Sequence, residues 1–358
     1  MINNQNKVKY TDFNFLFLIA WDIYSTTISD LVKLASILSF DELNKLYPSA
    51  ELFILPTCNR FEIYIYSKEG VGTPNRLLNY LIKNYPDTSF IENKVGKRGK
   101  DAYIHLVEVT GGLRSIAIGE YQIQGQVKDS YKSAVENKII GTNLKSIVES
   151  VLHIGKKIRS ETGISNTSFS LSSLSIDILF EQISISTKYK VLIIGTGKMG
   201  TLAAEHFIKC GYSDIMFFSN NPKNRSFVAD KFNASIRHID DFSKMVLNNK
   251  IIFSAVSNNR PRVKLDSLKL VHDSVFIIDI SIPQYFISYN NKVLKNQVLD
   301  MDEIRKNVSK YLLDSNIEIH QCEKIIENEV NSFIQDNIRR SEIDLNTDFR
   351  KEVKMINT

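Results

Sequence analysis

A strand that runs into a glycine-rich turn and then a helix constrains the fold of this 358-residue chain more than any other feature. The apolar run 190–194 leads into the turn, and a helix is predicted from Lys198 to about Cys210, before Gly211. A second strand, Ile215 to Ser219, completes a βαβ unit. This order predicts a Rossmann-type domain that binds a dinucleotide at the turn. The predicted cofactor contacts in the turn are Gly195, Thr196, Gly197, Lys198, Met199 and Gly200.

The end of the second strand indicates which dinucleotide is preferred. An NAD-selective site has an Asp or Glu there that bonds the ribose 2′-hydroxyl, whereas this chain has Ser219-Asn220-Asn221, with Lys223 and Arg225 close behind. A carboxylate would repel the 2′-phosphate of NADP, and cations attract it. We therefore predict NADPH as the cofactor, with Asn220, Lys223 and Arg225 as further contacts. The alternative is that the two cations are exposed helix residues.

The flanking regions complete an α/β fold in three parts. Residues 1–155 are predicted to form an α/β catalytic domain, and 156–300 a Rossmann-type NADP-binding domain with a linker helix. From residue 301 the pattern is helical, and an apolar seam predicts a short helical dimerisation region over 301–358, and hence a homodimer. The seam consists of Ile319, Cys322, Ile326, Val330 and Phe333.

A thiol between two predicted strands is the candidate nucleophile. Cys58 follows the apolar run Leu52–Leu55 and precedes Phe61–Tyr66, and Arg60 could raise its thiolate share. A cysteine nucleophile and a nicotinamide cofactor together are suited to reducing an activated carboxyl group to an aldehyde. The alternative is that Cys58 is a small buried hydrophobic residue.

Composition and charge indicate the cellular compartment and the class of binding partner. The three cysteines lack disulfide or zinc spacing, which predicts free thiols, no metal site and a cytoplasmic protein. The run Phe15–Trp21 is too short to span a membrane. Residues 91–160 hold twelve Lys or Arg against seven Asp or Glu. That excess favours either contact with nucleic-acid phosphates or a solvated basic face.

Several motifs in order resemble the glutamyl-tRNA reductase family. The resemblance spans most of the chain, and the motifs together are far more specific than any one of them. They are Thr57-Cys58-Asn59-Arg60 followed by Glu62-Ile63-Tyr64, His105-Leu106 ten residues before Ser115, Gly119-Glu120 with Gln122-Ile123, Gly125-Gln126-Val127-Lys128, Gly155-Lys156-Lys157 with Glu161-Thr162-Gly163, and the glycine turn.

The resemblance implies a reaction and its residues. Cys58 would attack the ester that joins glutamate to its tRNA, form a thioester and release the tRNA. Hydride from NADPH would then give glutamate-1-semialdehyde, which begins tetrapyrrole (porphyrin and haem) synthesis. His105 would contribute to activity, although by itself it is typical of a structural histidine on an amphipathic helix. Arg60 would grip the glutamate carboxylate in a bidentate manner. The implied substrate-binding residues are Thr57, Asn59, Arg60, Ser115, Glu120, Tyr121, Gln122 and Gln126. The implied partners are glutamyl-tRNA, a second copy of the chain and a glutamate-1-semialdehyde aminomutase.

Departures from the family pattern keep two alternatives open. Arg114 replaces a common Asp, Tyr121 stands where proline is usual, Asn221 replaces a usual Arg, and Trp21–Thr27 replaces a His-Lys-Thr-Ala-Pro turn. One alternative is an NADP-dependent dehydrogenase of small metabolites, which would turn over without tRNA. The other is a non-catalytic tRNA-binding relative, which would bind charged tRNA without oxidising NADPH.

Overall fold

A computed structural model describes most of the chain, which divides into two compact units. The first unit comprises Met1–Ser115, Tyr121–Thr167 and Asn316–Thr358, and the second comprises Ile116–Glu120 and Ser168–Ser315. The described residues are 11–22, 25–57, 59–70, 72–86, 93–115, 118–120, 122–165, 170–183, 186–219, 222–237, 249–256, 263–264, 275–287, 298–307 and 316–356.

The described part of the chain contains both strands and helices. The strands are β1 (Leu16–Asp22), β2 (Glu51–Pro56), β3 (Arg60–Tyr66), β4 (Val95–Arg98), β5 (Val191–Ile194), β6 (Ile215–Phe218), β7 (Ser235–Arg237), β8 (Ile251–Ser254), β9 (Val263–Lys264), β10 (Phe276–Asp279), β11 (Phe286–Ile287) and β12 (Val298–Asp300). The helices are α1 (Ile28–Ile37), α2 (Phe40–Leu46), α3 (Gly72–Asn84), α4 (Lys100–Gly111), α5 (Gln122–Glu136), α6 (Thr142–Glu161), α7 (Leu171–Gln182), α8 (Lys198–Lys209), α9 (Pro222–Phe232), α10 (Met301–Asn307) and α11 (Asn316–Ile356).

An antiparallel sheet forms the centre of the first unit. Its strand order is β2-β3-β1-β4, and Asp22 of β1 pairs with Arg60 of β3. Every residue of β3 is buried, so both faces of the sheet are covered there. Because side chains alternate along a strand, Arg60, Glu62 and Tyr64 share one face. The sheet therefore presents three polar groups in its interior rather than at its rim.

Close helix packing fixes the position of α4. A Cβ on Gly155 of α6 would lie 2.8 Å from Cγ2 of Thr110, so α6 approaches α4 at a point where only glycine fits. Gly112 ends α4 in the left-handed conformation, with φ of 85°. The Arg159 Nη2 atom donates to the Thr110 carbonyl oxygen at 2.7 Å. These contacts hold the helix that carries His105.

The apolar seam of the C-terminal helix packs within the chain. Cys322, Ile326 and Val330 are buried in the first unit, where α11 contacts α6 and α4. These side chains of the predicted dimerisation seam therefore have partners within the first unit. The homodimer and the three-domain division stay predictions, and the structure groups α11 with the first unit.

A parallel sheet forms the centre of the second unit and confirms the Rossmann-type prediction. The strand order is β7-β6-β5-β8-β10-β12, and each neighbouring pair is parallel. This is the doubly wound order, in which successive strands are added first on one side of β5 and then on the other. The glycine turn follows β5, and so lies at the point where such folds bind ligands.

The basic stretch contains an edge strand. Part of this stretch, 91–160, forms β4, which pairs with β1 and places Lys97 opposite Leu18. The alternating half-exposed pattern of β4 explains why hydrophobicity did not reveal it.

Among the described helices, none combines the length and the hydropathy needed to cross a bilayer.

Candidate active site

A short turn joins β2 to β3 and contains the position of the candidate nucleophile. Cys58 itself lies outside the described residues, but its neighbours are described. The Thr57 Oγ1 atom accepts hydrogen bonds from the backbone N–H groups of Asn59 and Arg60, both at 3.2 Å. The Thr57 N–H donates to the Arg60 carbonyl oxygen at 2.8 Å. Thr57 therefore shapes the turn, a role that sequence analysis did not assign to it.

Four buried side chains of β3 and α4 meet beside this turn, and we call them the Glu62 cluster: Arg60, Glu62, Tyr64 and His105. Arg60 Nη1 donates to Glu62 Oε1 at 2.9 Å, and His105 Nε2 lies 2.8 Å from the same oxygen. The Tyr64 hydroxyl donates to Glu62 Oε2 at 2.7 Å. The side chains of Arg60, Glu62 and His105 are 3%, 0% and 2% exposed. The structure thus brings two predicted site residues, Arg60 and His105, onto one carboxylate.

The Glu62 carboxylate stays ionised because its partners outweigh its burial. Burial by itself would raise the Glu62 pKa, but electrostatic attraction to His105 and Arg60, with hydrogen bonds from His105 and Tyr64, lowers it to about 2. Burial raises the pKa of Tyr64 well above its ordinary value, and the adjacent Glu62 charge raises it further. Tyr64 therefore acts as a neutral hydrogen-bond donor to a permanent anion.

Three buried polar atoms around the turn remain unsatisfied. Among the described residues, no hydrogen-bond partner exists for Asn59 Oδ1, Arg60 Nε or His105 Nδ1. A buried polar atom without a partner costs about 1–3 kcal/mol, so each one calls for an explanation. Two of these residues directly follow Cys58, and the third shares a carboxylate with Arg60. This arrangement is typical of a site that a polar ligand completes.

The segment after α4 is joined to the cluster through Arg60. The Arg60 Nη2 atom donates to the carbonyl oxygen of Arg114, and the Arg114 side chain turns away to pair with Glu108, with Nε 2.6 Å from Oε2. Ser115 is buried, and its N–H donates to the Gly112 carbonyl oxygen at 3.3 Å. Arg114 thus contributes its backbone here, while its charge is neutralised by Glu108.

The remaining predicted substrate residues lie further along the chain. Gln122 and Gln126 are half-buried in the first two turns of α5. Glu120 belongs to the second unit, so the structure does not group it with the Glu62 cluster. Tyr121 lies outside the described residues. Their roles in substrate binding stay predictions.

The glycine turn has the geometry that a dinucleotide site requires. Gly195 has φ of +115°, and a Cβ there would lie 2.5 Å from the Ala255 carbonyl oxygen. A Cβ on Gly200 would lie 2.0 Å from the Gly195 carbonyl oxygen, whereas a Cβ on Gly197 would meet nothing within 4 Å. The first and third glycines are therefore required by packing, and the second leaves open space at the start of α8. That arrangement fits a pyrophosphate at the helix N-terminus.

The other predicted cofactor residues are described to different extents. Thr196 Oγ1 lies 2.8 Å from Ser219 Oγ, which ties the turn to the end of β6. The Ser172 hydroxyl donates to the Met199 carbonyl oxygen at 2.9 Å. Lys198 is the first residue of α8, and Lys223 and Arg225 lie in the first turn of α9. Asn220 lies outside the described residues.

Comparison with known proteins identifies the family. The family model "Glutamyl-tRNAGlu reductase, N-terminal domain" matches residues 29–162. A glutamyl-tRNA reductase from a Sulfurihydrogenibium species is 30% identical over 307 residues, which cover 83% of this chain and 69% of that protein. The chain belongs to the glutamyl-tRNA reductase family. It is accordingly an enzyme, as sequence analysis predicted.

Other relatives extend the comparison. The glutamyl-tRNA reductase of Sulfolobus acidocaldarius is 29% identical over 294 residues, covering 82% of this chain and 67% of that one. The solved reductase of Methanopyrus kandleri is 22% identical, with a TM-score of 0.48, over 90% of this chain and 80% of its own. The model "Shikimate / quinate 5-dehydrogenase" matches residues 179–307. This match and the geometry of the glycine turn indicate a nicotinamide cofactor.

Two residues of the reductase's candidate site were not assigned a role from sequence. Glu62 and Tyr64 carried the resemblance, yet nothing in the pattern indicated that they bind Arg60 and His105. The available signal was a single carboxylate inside the otherwise apolar and aromatic strand Phe61–Tyr66. A charge in a strand that is buried on both faces requires a partner, and that partner marks the site.

Proposed function

We propose that this chain reduces glutamyl-tRNA to glutamate-1-semialdehyde with NADPH, releasing tRNA through a thioester on Cys58, as a step in tetrapyrrole synthesis. Family membership supports the reaction. The observation that carries the proposal for this site is the Glu62 cluster beside the Cys58 turn, with its three unsatisfied polar atoms.

The reaction divides into an acyl transfer and a reduction. The Cys58 thiolate attacks the ester carbonyl carbon, the bond from that carbon to the ribose oxygen breaks, and the ribose hydroxyl gains a proton. NADPH held at the glycine turn would supply the hydride that reduces the thioester. The thiolate then leaves, and the aldehyde is released. A thioester accepts hydride more readily than a carboxylate does, which is why the covalent step helps.

Arg60 is oriented to bind a carboxylate by one edge of its guanidinium group. Glu62 accepts from Nη1 and the Arg114 carbonyl accepts from Nη2, which occupies one of the two N–H groups on each terminal nitrogen. The atom that remains without a partner among the described residues is Nε. We therefore propose that the edge formed by Nε and one terminal nitrogen, rather than the edge formed by the two terminal nitrogens, binds the glutamate side chain.

His105 would act as a positioned donor or acceptor toward the substrate. Its Nε2 is fixed by Glu62, and its Nδ1 has no partner among the described residues. A carboxylate on one ring nitrogen selects the tautomer and orientation of the other. We propose that Nδ1 assists proton transfer near the reacting carbonyl or the departing ribose oxygen.

Charge, cysteines and product chemistry support the proposed partners and location. On α6, Lys156 is exposed, whereas Lys157 pairs with Glu329 at 2.7 Å, so Lys156 is the better placed of the two for tRNA phosphates. Cys210 and Cys322 are free thiols, which is consistent with a reducing cytoplasm. A reactive aldehyde product fits direct transfer to an aminomutase. A homodimer remains part of the proposal.

Substrate-dependent oxidation of NADPH tests the proposed function. We expect the purified chain to oxidise NADPH with glutamyl-tRNA and to show no turnover with free glutamate or uncharged tRNA. Oxidation that proceeds with a small metabolite in the absence of tRNA would identify a different dehydrogenase. Tight binding of charged tRNA without oxidation would identify a non-catalytic relative.

Cofactor preference tests the roles of Lys223 and Arg225. We expect the double variant Lys223→Ala/Arg225→Ala to raise the KM for NADPH about 100-fold or more, because it removes two charge-assisted hydrogen bonds that contribute about 1.5–3 kcal/mol each. The KM for NADH should change little. Lys231→Ala is the matched control, since this cation of the same helix pairs with Glu205 at 2.6 Å. An unchanged KM for NADPH would contradict the assignment.

A further inference from the structure

Three metal-binding side chains meet where α7 packs against α8, outside the proposed reaction. They are Asp177 on α7, His206 on α8 and Cys210 directly after α8. One ligand atom from each lies within 4.8 Å of the others, and His206 Nε2 is 2.7 Å from Asp177 Oδ1. At 1.5 Å per residue, His206 and Cys210 lie about 12 Å and about 18 Å along α8 from its first residue at the glycine turn. The group is therefore distinct from the cofactor site.

The local fold brings the three groups together in two steps. His206 and Cys210 are four residues apart, so helical geometry places them on the same face. Packing of α7 on that face then adds Asp177. Neither step could be read from the cysteine spacing, because the third ligand comes from a helix 29 residues earlier in the chain.

The chemistry of the donors selects the class of metal ion. One carboxylate oxygen, one imidazole nitrogen and one sulfur are ligands that zinc and its neighbours bind, whereas magnesium and calcium require oxygen ligands. Ligand atoms around a tetrahedral zinc ion lie about 3.3–3.8 Å apart. The ion would therefore replace the Asp177–His206 hydrogen bond and move these side chains apart by about 1 Å.

The surroundings favour a cation and leave access for a fourth ligand. The side chains of His206 and Asp177 are 20% and 27% exposed, so solvent reaches the group. Cys210 stands at the C-terminus of α8, where the helix dipole favours positive charge. On the other side, the ring of Tyr212 stacks on Phe180 with centroids 5.5 Å apart.

We propose that Asp177, His206 and Cys210 bind one divalent transition-metal ion of the zinc class, with water as the fourth ligand, and so clamp α7 to α8. The thiol S–H bond breaks as the sulfur–metal bond forms, the proton passes to solvent, and no redox change occurs. Since the clamp lies within the nucleotide-binding unit, its effect is on the stability of that unit.

Cobalt(II) is the probe that reports on the sulfur ligand. The full chain carrying Cys58→Ser, which removes the candidate nucleophile, is freed of metal with a chelator and titrated with Co²⁺. We expect one equivalent to bind with a thiolate-to-cobalt charge-transfer band, and Zn²⁺ to displace it. Adding Cys210→Ser should abolish the band. Adding Cys322→Ser instead should leave the band unchanged, because this buried cysteine belongs to the other unit.

A second variant keeps the proposal testable if Cys210→Ser folds poorly. Asp177→Asn retains the thiolate, so the band should remain while the Kd for Co²⁺ rises at least about 10-fold. Zn²⁺ at 100 times its Kd should lower the apparent unfolding constant of the chain about 100-fold. Absence of the band in the Cys58→Ser chain, or its persistence in a folded Cys210→Ser variant, would overturn the proposal. Because the parent chain lacks Cys58, neither result depends on the proposed function.

Discussion

The Cys58→Ser variant is expected to lose about 10⁴-fold or more of the kcat for NADPH oxidation with glutamyl-tRNA. A serine hydroxyl at neutral pH is a far weaker nucleophile than a thiolate, and nucleophile replacements in covalent enzymes have effects of this size. The variant should still bind the cofactor, because the glycine turn belongs to the other unit. The measurement is the steady-state rate of NADPH oxidation with saturating charged tRNA.

The matched control for this variant is Cys322→Ser. Cys322 is buried, and its sulfur lies 3.5 Å from the Thr162 hydroxyl, a contact that a serine hydroxyl can replace. The kcat of Cys322→Ser should therefore remain within about twofold of the wild-type value, because a conservative change seldom affects a site with which it shares no partner. A Cys58→Ser enzyme that retains a tenth of wild-type activity would rule out Cys58 as the nucleophile.

The Glu62→Gln variant is expected to lower both stability and activity. Removing one partner of a buried ion pair leaves an uncompensated charge, here on Arg60, and typically costs 3–5 kcal/mol, so we expect a loss of about 3 kcal/mol or more in the free energy of unfolding. Arg60 and His105 would also lose their fixed orientation, and kcat should fall about 100-fold or more. Urea unfolding and the NADPH assay measure the two effects.

The matched control is Glu69→Gln, which breaks an ion pair of similar geometry at the surface. Glu69 Oε2 lies 2.6 Å from Arg76 Nη2, and each side chain is 42% exposed. Such exposed pairs contribute about 0–1 kcal/mol. Equal destabilisation by Glu62→Gln and Glu69→Gln would contradict the view that burial makes the Glu62 cluster important.

The same cluster determines how stability responds to acid. The Glu62 pKa falls from an ordinary 4.5 to about 2 on folding, so the unfolded state takes up the proton first. The contribution of Glu62 is therefore complete above about pH 4.5 and is lost as the pH falls toward about 2. The stability difference between wild type and Glu62→Gln should narrow over that interval. A difference that stays constant down to pH 2 would show that the carboxylate charge is not the source of the effect.

Local patterns predicted the elements of the fold better than the contacts between them. The strand, glycine turn and helix at 190–209 were read correctly because each step depends on neighbouring residues. Strand β4 was missed, since an edge strand has little apolar content to reveal it. The C-terminal seam was identified as apolar, but its partner helices α6 and α4 lie far away in sequence. Periodicity identifies a buried face without saying what buries it.

In the candidate site, too, individual residues were predicted better than the contacts between them. The motif around Cys58 and the resemblance indicated Arg60 and His105 separately. The carboxylate that unites them became visible only when α4 was packed on the sheet, because Glu62 and His105 are 43 residues apart. Thr57 likewise proved to shape the turn through two backbone hydrogen bonds. In both cases, the contacts that were not predicted depend on long-range packing, which no local pattern encodes.

Trapping the acyl group tests the central claim most directly. Glutamyl-tRNA labelled in its glutamate is mixed with the enzyme without NADPH, and protein-bound label is then measured. We predict stoichiometric label on the wild-type chain, absent from Cys58→Ser, that is released as aldehyde when NADPH is added. Aldehyde formed at the wild-type rate by Cys58→Ser, or with no label ever attached to the protein, would contradict a thioester on Cys58.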